Sequence, residues 1–397
     1  MSPASKTNSF AKSRIHFRYS VLISLGAKPN ERDELLKYNE NLFDHSSLAL
    51  PLNLPLPDKP HILAWEEYLS SADVKGIFDS LKIPLVQLWF PIQKGISKKE
   101  FYKSVTNKGI HPEEISQATG LKLKKPEDLR LNLHQTAAGR VPIIITAARE
   151  DFVALVQALT EKNEPAPIPE SMGAIMIAGY NNWDRVGRYR KRWEADKPFD
   201  FSGESWNEEF KRLVLQKDLY QDRFIIISDG HYSGIPAKAM GLSEEDWIRL
   251  SIIIRRDHEC AHYFTRHVLS SMRSRLLDEL IADYMGITAA IGHFRADWFL
   301  CFLGLENFPE YRKGGRIENY RGSPPLSDGA FKILQKLAKY AAENLEHFDR
   351  AFMHGSDNVN HRTDIFLALT LLTLEELASK DAPVYLQKAL KTSNLYK

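Results

Sequence analysis

Between Ser243 and His293 the chain contains no proline, although 20 prolines are spread through its 397 residues. A stretch this long without the residue that most strongly interrupts helices sets the character of the C-terminal part, which is expected to be mostly helical. Apolar spacing makes two helices readable there. The first opens at Ser243, with Asp246 three residues on in the manner of a capping box, and carries Trp247, Leu250, Ile254, Ala261, Phe264 and Val268. The second begins near Ser274 and places Leu276, Leu277, Leu280, Tyr284, Ile287 and Ile291 on its apolar side. Two further helices are predicted over Asp328–Phe352 and Asp364–Leu377, with the turn-rich stretch Phe308–Ser327 before them.

The N-terminal half has a different texture. From Arg18 to Ser228, short β-branched runs alternate with helical stretches, the pattern of an α/β or α+β region. Strands are predicted over Tyr19–Leu25, Leu85–Phe90, Pro142–Thr146, Ala174–Ala178 and Phe224–Ser228, and helices over Ile62–Leu81 and Arg149–Leu159. Pro51, Pro55, Pro57 and Pro60 make Leu48–Pro60 an extended linker or strap. The expected class is therefore α+β. A mixed α/β region over residues 1–140 precedes a sheet-containing part over 141–242 and a helical region over 243–397.

Composition narrows the functional classes. With 43% hydrophobic and 26% charged residues the chain is a folded globular protein and not a disordered one. Lys and Arg number 53 against 51 Asp and Glu, so no overall field recruits nucleic acid or a membrane surface. The local run Arg185, Arg188, Arg190, Lys191 and Arg192, interleaved with Trp183, Tyr189 and Trp193, could hold a phosphate-bearing partner, but a solvated helix face is the commoner meaning of such a run. Cys260 and Cys301 are too few for a disulfide framework and fit a reducing, cytoplasmic setting. Met1–Arg18 lacks the continuous apolar stretch of a secretory signal, and no apolar segment reaches the roughly 18 residues that a membrane span needs.

The chemistry lies in His258-Glu259-Cys260-Ala261-His262. Two imidazoles four residues apart project from one helical face about one turn from each other, which suits a single metal ion. Glu259, next in sequence to the first of them, points off their axis, placed to act as a general base on a bound water. Cys260 lies about 200° around the helix from His258 and is expected to be a packed residue and not a ligand. Such a pattern arises by chance in on the order of one per cent of chains this long, so the next helix decides its meaning. There Glu279 and Asp283, four apart, share a face, and a helical hairpin would present Glu279 to the histidine pair. Asp278 competes for the same role, but only Glu279 has an acid four residues on. Two His and one Glu leave a fourth position open, the arrangement of catalytic zinc sites.

Taken together, His258-Glu259-x-x-His262 and Glu279-x-x-Ala282-Asp283 resemble the active-site signature of the gluzincins, the thermolysin-like zinc metallopeptidases, over about 30 residues. The metzincin pattern is not met, because it needs Gly and His where this chain has Thr265 and Val268. The resemblance implies zinc held by His258, His262 and Glu279, and Glu259 as the base that takes a proton from water. It also implies that Asp283 bonds the other ring nitrogen of a ligand imidazole, His258 first. It implies a peptide or protein substrate laid along an edge strand ahead of the metal helix, for which Phe224–Ser228 is the candidate. The segment Asp357–His361 loosely resembles the stretch that supplies an oxyanion-stabilising histidine, which makes His361 the first candidate for that catalytic role. Tyr320, Arg321, His354 and the pair His231-Tyr232 follow. Two alternatives stand beside a peptidase: a zinc hydrolase of a non-peptide amide or ester, and a non-catalytic zincin-fold regulatory protein.

Overall fold

A computed structural model describes residues 3–46, 48, 50–196, 205–271, 275–353 and 359–394, with the side chains of 3–12, 353, 359–361 and 394 outside that description. The class is α+β, with a small mixed sheet and a helical C-terminal region. The chain divides into two compact units, Pro55–Gly230 and a second made of Met1–Leu54 with His231–Lys397. The divisions fall at 54/55, inside the proline-rich strap, and at 230/231; the sequence reading had placed its boundaries at 140/141 and 242/243.

Unit Pro55–Gly230 is built on four strands in the order β1-β2-β4-β3, where β1 is Arg130–Thr136, β2 Gly139–Thr146, β3 Ala174–Asn181 and β4 Gln221–Ser228. β2 and β4 run parallel in the middle, and both outer pairings are antiparallel. Their isoleucine runs, Ile143–Ile145 and Ile225–Ile227, are buried on both faces. Strands covered on two sides read as continuous apolar runs, not alternating ones, and this is why they were legible. The same fact corrects one expectation. Phe224–Ser228 lies in the interior of the sheet with a partner on each side, so it is not the edge strand along which a peptide could lie. The edges are β1, whose exposure nearly alternates, and β3.

Two predicted strands are not strands. Tyr19–Leu25 falls mainly in the helix Pro3–Ser24, and Leu85–Phe90 forms the short 3-10 turn Val86–Trp89. Tertiary pairing overrides the β-branched texture of the first. Arg18, one residue before that run, is buried against Glu375 at 3.0 Å, and Arg14, one helical turn earlier, reaches Glu376 at 2.6 Å. These pairs tie the N-terminal helix to the helix Leu374–Ala378 within the second unit. The predicted helix Ile62–Leu81 is split at Gly76 into His61–Lys75 and Ile77–Leu81. The predicted helix Asp364–Leu377 is likewise two, Val359–Thr370 and Leu374–Ala378. Three of the four arginines of the basic run are paired with acids of their own unit: Arg185 with Asp222 at 2.5 Å, Arg188 with Asp184 at 2.6 Å and Arg190 with Glu194 at 2.7 Å. No helix among the described residues is long and apolar enough to cross a membrane.

Candidate metal centre

The centre lies wholly in the unit formed by Met1–Leu54 and His231–Lys397. Its first wall is the helix Glu244–Val268, started by Ser243, whose Oγ accepts the Asp246 N–H at 3.1 Å and so satisfies a backbone donor that the first turn leaves open. Its second wall is the helix Leu276–Ile291. Ile254, His258 and His262 recur at intervals of four on the first helix, and Glu279, Asp283 and Gly286 recur at four and three on the second. The two faces meet closely because of Gly286, where a β-carbon would stand 2.5 Å from the Ile254 carbonyl oxygen. Sequence reasoning passed over this glycine, since a single Gly inside a helical pattern does not announce which neighbour it lets in.

This approach brings His258, His262 and Glu279 together, all buried. The two Nε2 atoms are 3.1 Å apart, and Glu279 offers Oε2 to His258 Nε2 and Oε1 to His262 Nε2, each at 3.7 Å. A tetrahedral ion with bonds of about 2.0–2.1 Å needs neighbouring donors about 3.3 Å apart; the two 3.7 Å spacings run to different Glu279 oxygens, and one donor atom from each residue lies within 4.8 Å of the others, a group that one small divalent cation can draw together. Asp278, the rival ligand, instead accepts the Arg275 N–H at 3.1 Å and closes the start of its own helix. Cys260 is a buried thiol outside this group, as the helical angle implied.

Behind the triangle stands a second layer. Asp283 Oδ1 lies 2.8 Å from His258 Nδ1 and accepts the Tyr232 hydroxyl at 2.5 Å, and that hydroxyl lies 2.9 Å from the same Nδ1. Burial works against the Asp283 charge, but Arg316 and His258 outweigh it and hold the carboxyl down at about 2. An ionised Asp283 only accepts, so the His258 proton sits on Nδ1 and its Nε2 lone pair faces the triangle. For His258 itself burial is again opposed, here by the Asp283 and Glu279 carboxylates, and its pKa moves upward. His262, with burial and then the His258 charge against it, is lowered to about 4 and stays neutral. Any second proton at the pair thus resides on His258, facing His262 across 3.1 Å, and a cation entering the triangle displaces it.

Arg316, which sequence reasoning did not single out, is the hub of this layer. Its Nη2 donates to Asp283 Oδ2 at 2.5 Å and to Glu279 Oε2 at 3.3 Å. Its Nη1 donates to Ser233 Oγ at 3.1 Å and to the Tyr232 oxygen at 3.2 Å. One arginine in a turn-rich stretch carries no periodic signal, and only its spacing of four from Tyr320, already a candidate, could have pointed to it. Tyr320 does reach the centre, bonding Glu279, and burial, with the Glu279 and Asp283 charges adding to it and Arg316 opposing, leaves its hydroxyl pKa well above the ordinary value. Tyr232 arrives as well, but on the Nδ1 side of His258, away from the donor triangle.

Two other candidates do not converge. His231 pairs with Glu244 at 2.5 Å, and Arg321 pairs with Asp328. His354, Asp357 and Asn358 lie outside the described residues. His361 belongs to the helix Val359–Thr370, but its side chain is outside the description.

Glu259 differs from the other two acids. It is half-buried and, among the described residues, its carboxylate takes part in no hydrogen bond or ion pair, yet it feels the charges of His258 and Glu279. Burial raises its pKa, with Glu279 adding to the rise and His258 opposing it. No curated protein and no solved structure matches this chain. A model described as a family of unknown function (DUF7005) matches residues 20–381, and the chain belongs to that family.

Proposed function

We propose that the protein is a zinc-dependent hydrolase that cleaves peptide bonds. One observation carries the reading: beside a donor group that can hold one cation stands Glu259, a carboxylate with a raised pKa and, among the described residues, no hydrogen bond or ion pair of its own. A site that only stabilises a fold has no use for such a group, whereas general-base catalysis needs a carboxylate free to accept a proton. His258, His262 and Glu279 would hold the ion, whose contribution when bound is to polarise water and the substrate carbonyl. Glu259 takes the proton of the attacking water and returns it to the leaving amine. Asp283 and Tyr232 fix the orientation of His258, Arg316 donates to both Asp283 and Glu279, and the Tyr320 hydroxyl beside Glu279 could donate to a developing oxyanion.

The peptide substrate rests on the resemblance of the two motifs to those of the gluzincins. The interior position of Phe224–Ser228 removes the strand that had been assigned to bind it, which keeps a non-peptide amide or ester as the second reading. A screen of peptide libraries beside acylated small molecules separates the two. The test of the base is Glu259→Gln, which should leave metal content unchanged and lower kcat/KM by roughly a hundredfold or more. A variant that turns over at the normal rate would remove Glu259 from the chemistry.

A further inference from the structure

Unit Pro55–Gly230 contains a cavity of about 400 Å³ between the helix Glu100–Lys108, the turn at Lys162 and the edge strand β3. No carboxylate lines it, and both of its charged residues, Lys103 and Lys162, are lysines without an ion pair among the described residues. Two of its carboxamides are turned by their partners: Gln87 Oε1 accepts the Tyr180 hydroxyl, and Asn181 Oδ1 accepts Gln221 Nε2 at 3.0 Å. Each carboxamide carries an NH₂ group, and with the two ammonium groups these give the lining donors for an acceptor-rich ligand, beside the oxygens of hydroxyls whose protons are given elsewhere. Glu164, which touches the wall at Ser97, is taken up by the backbone N–H groups of Gly95 at 2.7 Å and Ser97 at 3.0 Å and by the Ser97 hydroxyl at 2.6 Å, and Glu100, on the helix of Lys103, pairs with Lys108 at 2.8 Å.

The wall is also held under strain. Lys162 and Asn163 adopt left-handed backbone angles in succession, φ 55° and 60°, which is costly for residues with a β-carbon. Buried Asn163 locks the turn: its Nδ2 donates to the carbonyls of Gln87 at 3.1 Å and Phe90 at 3.0 Å, and its Oδ1 accepts the Tyr102 hydroxyl at 3.0 Å. The same bonds that pay for the turn therefore fix Gln87 and Tyr102, two walls of the cavity. A second cavity of about 320 Å³ adjoins the first through Asn107 and Asn181, and it is faced by Trp183, Val186, Phe210 and Val214 without a charged residue.

We propose that these joined cavities bind a small amphipathic oxyanion, its carboxylate or phosphate group seated at Lys103 and Lys162 and its apolar or aromatic part against Trp183 and Phe210. Acceptor-rich anions match a lining of ammonium and amide donors, and such charge-assisted bonds are the strong ones. The site lies in a different unit from the metal centre and does not depend on hydrolysis.

The full-length protein is titrated by calorimetry with 1-naphthyl phosphate, 1-naphthylacetate, the neutral 1-naphthylacetamide and inorganic phosphate. At least one naphthyl anion should bind saturably and the amide should not; the phosphate or the acetate binding alone identifies which anion the site prefers. Lys103→Met and Lys162→Met should each weaken binding roughly tenfold, and Phe210→Ala should weaken the naphthyl anion while leaving inorganic phosphate unchanged. Glu259→Gln and His262→Ala should bind as the parent does, which separates this proposal from the hydrolase reading. Absence of saturable binding by either naphthyl anion, equal binding of acid and amide, indifference to both lysine substitutions, or loss in His262→Ala would overturn it.

Discussion

Each unit buries an aspartate against an arginine, and the two pairs have different consequences. In the sheet unit Asp222 receives Trp65 Nε1 at 2.8 Å, Asn182 Nδ2 at 2.7 Å and Arg185 Nη1 at 2.5 Å. Arg185 also donates to the carbonyls of Gln221 at 3.2 Å and Asp218 at 2.7 Å. Donors and acceptors answer one another there, and the network serves only to fasten the helix Trp183–Ala195 to β4. In the helical unit Asp283 is as deeply buried and Arg316 partly so, but their bonds end on His258 and Glu279, whose remaining lone pairs point at one another and at His262. Like acceptors converging in a buried space repel unless a cation joins them. A closed network indicates architecture, and one that ends in convergent acceptors indicates a site.

The comparison can be broken at several points. Asp222→Ala strands the Arg185 charge in the interior and should cost about 3–5 kcal/mol in urea unfolding, with metal content unchanged. If metal were lost with it, the two networks would be energetically one.

Histidines sharpen the contrast next. His61 is buried in the sheet unit with no partner for Nε2, and burial, reinforced by Arg185 and Arg223, lowers it to about 3. The unfolded chain takes up this proton below about 6.5 and the folded one does not, so stability is full above that value and is lost as pH falls toward 3. Replacing His61 by Leu should flatten this acid limb by roughly 4 kcal/mol in unfolding measured across the same window. An unaltered limb would mean that His61 is protonated in the folded state.

A smaller effect is expected at the ligand support itself. Asp283→Asn keeps the shape but removes the charge that orients His258 and binds Arg316, and metal affinity by competition with a chelator should fall about 10–100-fold. Unchanged affinity would reduce Asp283 to an ordinary core acid.

How much of this was legible in the sequence follows from how local each signal is. The isoleucine runs of β2 and β4 and the four-residue spacings of His258, His262, Glu279 and Asp283 are written within single elements, and the predicted partners came together. What was missed depends on distant chain. Tyr19–Leu25 reads as a strand until Arg14 and Arg18 meet Glu376 and Glu375. Strand β1 was overlooked because its polar outer face, with Arg130, Asn132 and His134, and Gln135 on the other face weaken the apolar pattern. Arg316 and Gly286 have meaning only once the two helices and the turn at Arg316 are in place.

The most direct measurement is elemental analysis of metal in the purified chain and its variants. About one zinc ion per chain is expected in the parent and in Glu259→Gln and Cys260→Ala, with loss in His262→Ala and Glu279→Ala. A parent chain that takes up no divalent metal, or a His262→Ala variant that keeps the full complement, would contradict the account.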